Sequence, residues 1–127
     1  MSADLVYKIS PRTEWEAAVE TGTFTGAPVD LADGFIHFST AEQVAETAAK
    51  HFRGQSDLVL VAIDSAALGG QLKWEPSRGG ALFPHLYAPL DVAHARSVIA
   101  LELDSDGVPV IPDLADDAGG AGNQEGA

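Results

Sequence analysis

The 127-residue chain predicts a single α+β domain. Three observations lead there: two apolar stripes at helical spacing in the first half, mostly short strand-like runs in the second, and a length that suits one core rather than two. Residues 1–114 carry this pattern without a linker or an internal repeat.

Taken in order, Leu5-Val6-Tyr7-Lys8-Ile9 is a short strand. A helix follows, starting either at Ser10-Pro11, with proline just inside, or at a Thr13/Glu16 capping box. Trp15, Ala18 and Val19 share its apolar face, and Gly22 ends it. The stretch TFTGAPVDLADG reads as an ordered surface loop of unusual length, a kind often kept for function. Phe35-Ile36-His37-Phe38 is the second strand. Ser39 or Thr40 then caps the second helix, with Glu42 or Gln43 three residues on. Val44, Ala48 and Phe52, with Ala45 and Ala49 beside them, form its stripe, and Gly54 stops it. Leu58–Ile63 is apolar at every position, as a strand covered on both faces must be. After a turn at Ala67–Gly70 come Leu72–Glu75 and Leu82–Tyr87, where Pro84 argues for an edge strand or a bulge. Ser97–Leu103 is the last strong strand, paired with Val108–Ile111 through an Asp106-Gly107 turn. Residues 115–127, ADDAGGAGNQEGA, have nothing large to bury and are expected to form a disordered, acidic, glycine-rich tail.

Charge narrows the partners. Residues 1–100 hold 12 acids and all 7 bases, while residues 101–127 hold 7 acids and no base. No basic stripe is present for a nucleic-acid backbone or an anionic membrane. No run approaches the roughly 20 apolar residues of a membrane span, and MSADLVYKIS lacks the features of a secretory leader, so a cytoplasmic location is expected. Without cysteine there is no disulfide scaffold, thiolate site or thiol nucleophile. His37, His51, His85 and His94 follow no metal-ligand spacing, and a His37–His85–Glu75 set has no local signature, so no metal is expected. Rossmann, P-loop and nucleophile-elbow motifs are missing.

Three segments can carry chemistry. Trp74, Glu75, Ser77, Arg78, Gly79 and Gly80 crowd an indole, a carboxylate, a hydroxyl and a guanidinium against two glycines. Arginine offers a bidentate fork for an anion, and glycine lets the backbone approach it. The competing reading is a hairpin with Trp74 in the core and an incidental Glu75–Arg78 pair. In the second segment, alternation puts Phe35, His37 and Ser39 on one face and Ile36 and Phe38 on the other. Ser39 and Thr40 stand where a helix begins, which suits an anion as well as plain capping. In the third, His85 and Tyr87 share a face and either hold a base or ribose or form a half-exposed sheet surface.

These runs, with Tyr7-Lys8-Ile9, Trp15 and Lys50-His51-Phe52, resemble domain-of-unknown-function family 952 from about Leu5 to Pro112. That family is similar to the ADP-ribosyltransferase-like superfamily. The resemblance implies a split mixed or antiparallel sheet clamping NAD in a cleft, Tyr7 or Lys8 on the early strand, and Glu75 as the carboxylate at the ribose. It implies catalytic roles for Glu75 and His37. Ser39, Thr40, Trp74, Ser77, Arg78, Gly79, Gly80, His85 and Tyr87 would bind ligand, with NAD as substrate. The early strand lacks the superfamily's Arg or His grip, and no Glu-x-Glu or Gln-x-Glu is present. The alternative is a non-catalytic module for a small anionic metabolite in the same pocket. A metal-dependent hydrolase built on His37 and His85 is a third.

Overall fold

The computed structural model describes residues 5–77, 81–112 and 114; Arg78, Gly79, Gly80 and the expected tail lie outside them. β1 (Leu5–Pro11) leads into α1 (Arg12–Thr21). Pro11 occupies the cap position itself and no side chain caps the helix, so neither expected start applies. Gly22 closes α1 with φ of 89°. The expected long loop is built from β2 (Thr23–Phe24) and α2 (Pro28–Asp33). Both escape periodicity because two residues and six residues are too short to show a repeat.

β3 (Ile36–His37) and α3 (Val44–His51) follow. Ahead of α3 the expected capping pair forms between Thr40 and Gln43: the Thr40 N–H donates to Gln43 Oε1 at 3.0 Å, and the Gln43 N–H donates to Thr40 Oγ1 at 3.2 Å. Val44 and Ala48 are buried; Ala45 and Ala49 are exposed, so the stripe is narrower than expected. β4 (Leu58–Asp64), a 3-10 turn at Ser65–Gln71, β5 (Leu72–Ser77), β6 (Ala81–Leu86), β7 (Leu90–Asp91), a 3-10 turn at Val92–His94 and β8 (Ala95–Leu101) complete the fold. The expected pairing beyond β8 is reduced to a bridge between Leu103 and Pro109.

Among the described residues the strands form two three-stranded sheets, β1-β4-β8 and β3-β6-β5, and a two-stranded β2-β7 ribbon. Every ladder is antiparallel. β4 is central and buried on both faces, as its unbroken apolar run requires. Val59, Val61 and Ile63 pack with Trp15, Ala18, Ile36, Phe38 and Leu86 on one side. Leu58, Leu60 and Ala62 pack with Tyr7, Ile9, Val44 and Ala48 on the other. Among the described residues, no helix is long and apolar enough to cross a membrane.

Pro84 sits in β6, the centre of its sheet, not at an edge. The registers Ile36↔Leu86 and His37↔His85 put Phe38 next to Pro84. The Phe38 N–H donates to the Pro84 carbonyl at 3.0 Å, but proline has no N–H to return. β3 therefore stops at His37. The chain crosses to the other sheet two residues later, where Tyr7 and Ser39 exchange backbone hydrogen bonds of 2.7 and 2.8 Å.

Candidate functional site

β1 is an edge strand, and the Ser39 bridge covers its free side only at Tyr7. In an antiparallel ladder, alternate residues point their backbone N–H and C=O to the same side. The Ile9 N–H and C=O therefore face outward, as those of Tyr7 do, beyond the point where Ser39 ends the pairing. A cavity of about 630 Å³ opens there, within the range of small-ligand sites. Its wall includes Tyr7, Lys8 and Ile9 from β1, and Glu14 from α1. His37 and Ser39 contribute from the crossing strand, His51 from the end of α3, and His85 from β6.

Asp30 is the hub of one wall. It is 1% exposed and accepts from Lys8 Nζ at 2.9 Å, the Ala27 N–H at 2.7 Å and the His37 N–H at 3.0 Å. It also meets His37 Nδ1 at 2.7 Å, while Asp33 meets Nε2 at 2.9 Å. Burial alone would push the Asp30 carboxyl up; the His37 hydrogen bond and the Lys8 charge overcome it and hold the pKa down at about 2. Burial lowers the Lys8 ammonium, and Asp30 opposes that shift. Such a cluster needs a close approach of the loop, and Gly26, at φ +122°, provides it: a Cβ there would lie 2.8 Å from the Asp30 Cβ.

Behind His85 lies an aromatic cluster. Phe35 stacks on His85 at 4.2 Å and 27°, and touches His37 at 4.6 Å and Tyr87 at 5.1 Å. His85 Nδ1 meets Glu75 Oε1 at 2.8 Å, and the Tyr87 hydroxyl donates to the same oxygen at 2.7 Å. Hydrogen bonds from His85 and Tyr87 lower the Glu75 pKa, and the bond to Glu75 raises that of Tyr87. With Nδ1 engaged, His85 keeps Nε2 for another partner.

The expected site residues thus separate into groups. His37, Ser39 and His85 line the cavity; Glu75 and Tyr87 do not, but reach it through His85. Thr40 is engaged in capping. Trp74 is 46% exposed on β5, so the hairpin reading that put it in the core is corrected. Glu75 pairs with His85 among the described residues, and Arg78, Gly79 and Gly80 lie outside them. Ser77 ends β5, where its backbone pairs with Ala81. The His37 and His85 rings are 5.5 Å apart, each with Nδ1 on its own carboxylate. Among the described residues, no group of three or more His, Asp or Glu is placed to hold a metal ion.

Asp30 and Glu14 were missed. A buried acid in a polar loop has no periodic signature, although Pro28 followed by Asp30 at a helix start is a detectable capping signal. Nothing in the sequence separates Glu14 from Glu16 and Glu20 on the same helix.

No curated protein matches the chain. Three solved structures of protein CC0527 from Caulobacter crescentus are similar to it. The crystal structure is 57% identical, covers 90% of this chain and 97% of its own, and has a TM-score of 0.82. A crystal structure of a double mutant is 55% identical, with the same coverage and TM-score. The solution structure is 60% identical, covers 83% and 90%, and has a TM-score of 0.75. The family described as "Protein of unknown function (DUF952)" matches over residues 9–98, and the chain belongs to that family.

Proposed function

We propose that the cavity binds a nicotinamide nucleotide of the NAD class and that the protein acts at the nicotinamide ribose, as an ADP-ribosyltransferase-like enzyme. The observation that carries this reading is the place of the cavity. It opens at the junction of two antiparallel sheets, along the edge of β1, and combines apolar rings with His37, Ser39 and His85. Phe38, Phe52 and Phe83 suit a flat heteroaromatic ring, and the hydroxyl and imidazoles suit a ribose.

In this reaction the bond between ribose C1′ and the nicotinamide nitrogen breaks, and its electron pair leaves with nicotinamide. The oxygen of water or of an acceptor hydroxyl then bonds to C1′, and its proton passes to His85 Nε2. Glu75 holds the His85 ring through Nδ1 and favours the imidazolium that forms. Its part is therefore exerted through His85 rather than by contact with the ribose.

A second reading, a non-catalytic module for a small anionic metabolite, draws support from Glu75 itself, which is 38% exposed and outside the cavity wall. Calorimetric and thermal titrations with NAD, ADP-ribose, AMP and nicotinamide, followed by a nicotinamide-release assay, separate the two. The enzyme reading expects NAD to bind and Glu75→Gln to cut turnover on the order of 10²-fold with little change in affinity. Equal turnover in variant and wild type, or binding with no nicotinamide released, favours the module. If none of the four ligands binds at millimolar concentration, the nucleotide reading is wrong.

A further inference from the structure

Glu14 stands in the first turn of α1 and lines the cavity. Its Oε1 is buried, and no described residue hydrogen-bonds to it. The nearby cation feels the Glu14 charge but gives it no hydrogen bond: Lys8 Nζ is held at 2.9 Å from both oxygens of Asp30. A buried carboxylate oxygen without a donor is costly, and Glu14 lines the cavity, so a ligand that turns the carboxylate toward itself supplies the donor the fold does not. The Ile9 carbonyl, facing the same cavity from the edge of β1, is a second acceptor.

We propose that Glu14 is the specificity-determining residue of the cavity and selects a planar ligand group bearing N–H donors or positive charge, such as an amidinium or a carboxamide, over a carboxylate. The assignment rests on the cavity being the ligand site, as above, and adds the chemistry of one wall. A carboxylate-bearing ligand would place like charges together in a site partly shielded from water, whereas an N–H group would complete the vacant hydrogen bond. Ile9, Pro11 and Phe52 also line the cavity and give a flat ring an apolar surface.

The test uses the full chain and two matched pairs of probes: benzamidine against benzoate, and nicotinamide against nicotinate. Wild type should bind benzamidine and nicotinamide and discriminate at least tenfold against their carboxylate counterparts. At ten times its dissociation constant, benzamidine should raise Tm by about 5 °C. Glu14→Gln should lose most of the benzamidine shift and the preference over benzoate. Glu46→Gln, which removes one charge from the α3 ion pair with Lys50, should keep both. Unliganded Glu14→Gln should stay folded, because Oε1 has no hydrogen bond to lose. Benzamidine binding equally to wild type and Glu14→Gln, or none of the probes binding to wild type, overturns the proposal. Should benzamidine bind through Glu14 while NAD does not bind, the nucleotide reading fails and the Glu14 assignment stands.

Discussion

At the residue scale, Asp30 holds the site together. A buried carboxylate shared by a lysine, an imidazole and two backbone amides is satisfied only as a set. Asp30→Asn should destabilise the fold by about 3 kcal/mol, because Lys8 would stay buried without its counter-charge; urea unfolding would measure it. The pH dependence follows from the Asp30 pKa being depressed from 3.8 to about 2. Its stabilising share is complete above about pH 4, where the unfolded carboxyl is also ionised, and disappears as pH falls through 2. The loss amounts to about 2 kcal/mol. The gap in unfolding free energy between wild type and Asp30→Asn should therefore narrow between pH 5 and pH 2; a gap of constant size would contradict this role.

At the scale of elements, what was legible in the sequence followed from length. The β4 run, the α3 stripe and the Gly22 stop repeat often enough, or are specific enough, to be read directly. β2, α2 and β7 are not, since their partners lie far off in the chain and their own residues show no period. Pro84 shows a local rule giving way to context. The strand next to it is so short that a missing N–H ends the ladder instead of excluding the proline. The alternation of Phe35 and His37 against Ile36 and Phe38 was legible, whereas the Asp30 loop that fixes His37 was not. Gly26→Ala tests that loop. It would place a Cβ against Asp30 in a backbone conformation that alanine rarely adopts, and should cost roughly 2 kcal/mol in thermal or urea unfolding.

At the scale of the whole molecule, two sheets meet at the Tyr7–Ser39 bridge, and the cavity lies beside it. Motif reading singles out His37, Ser39 and His85, which line the cavity, because they stand in unusual runs. It could not show that Glu75 and Tyr87 reach the cavity only through His85, because that depends on the register of β5 with β6. The most direct measurement of where ligand binds is a titration of the ¹⁵N-labelled protein with NAD, followed by amide chemical shifts. Binding along the edge of β1 should move the Ile9 amide, which faces the cavity, together with those of His37, Ser39 and His85. The amides of the exposed strand β8 should stay still. Shifts confined to β8 and the outer face of β5, or none at millimolar NAD, would contradict a nucleotide site at the junction of the sheets.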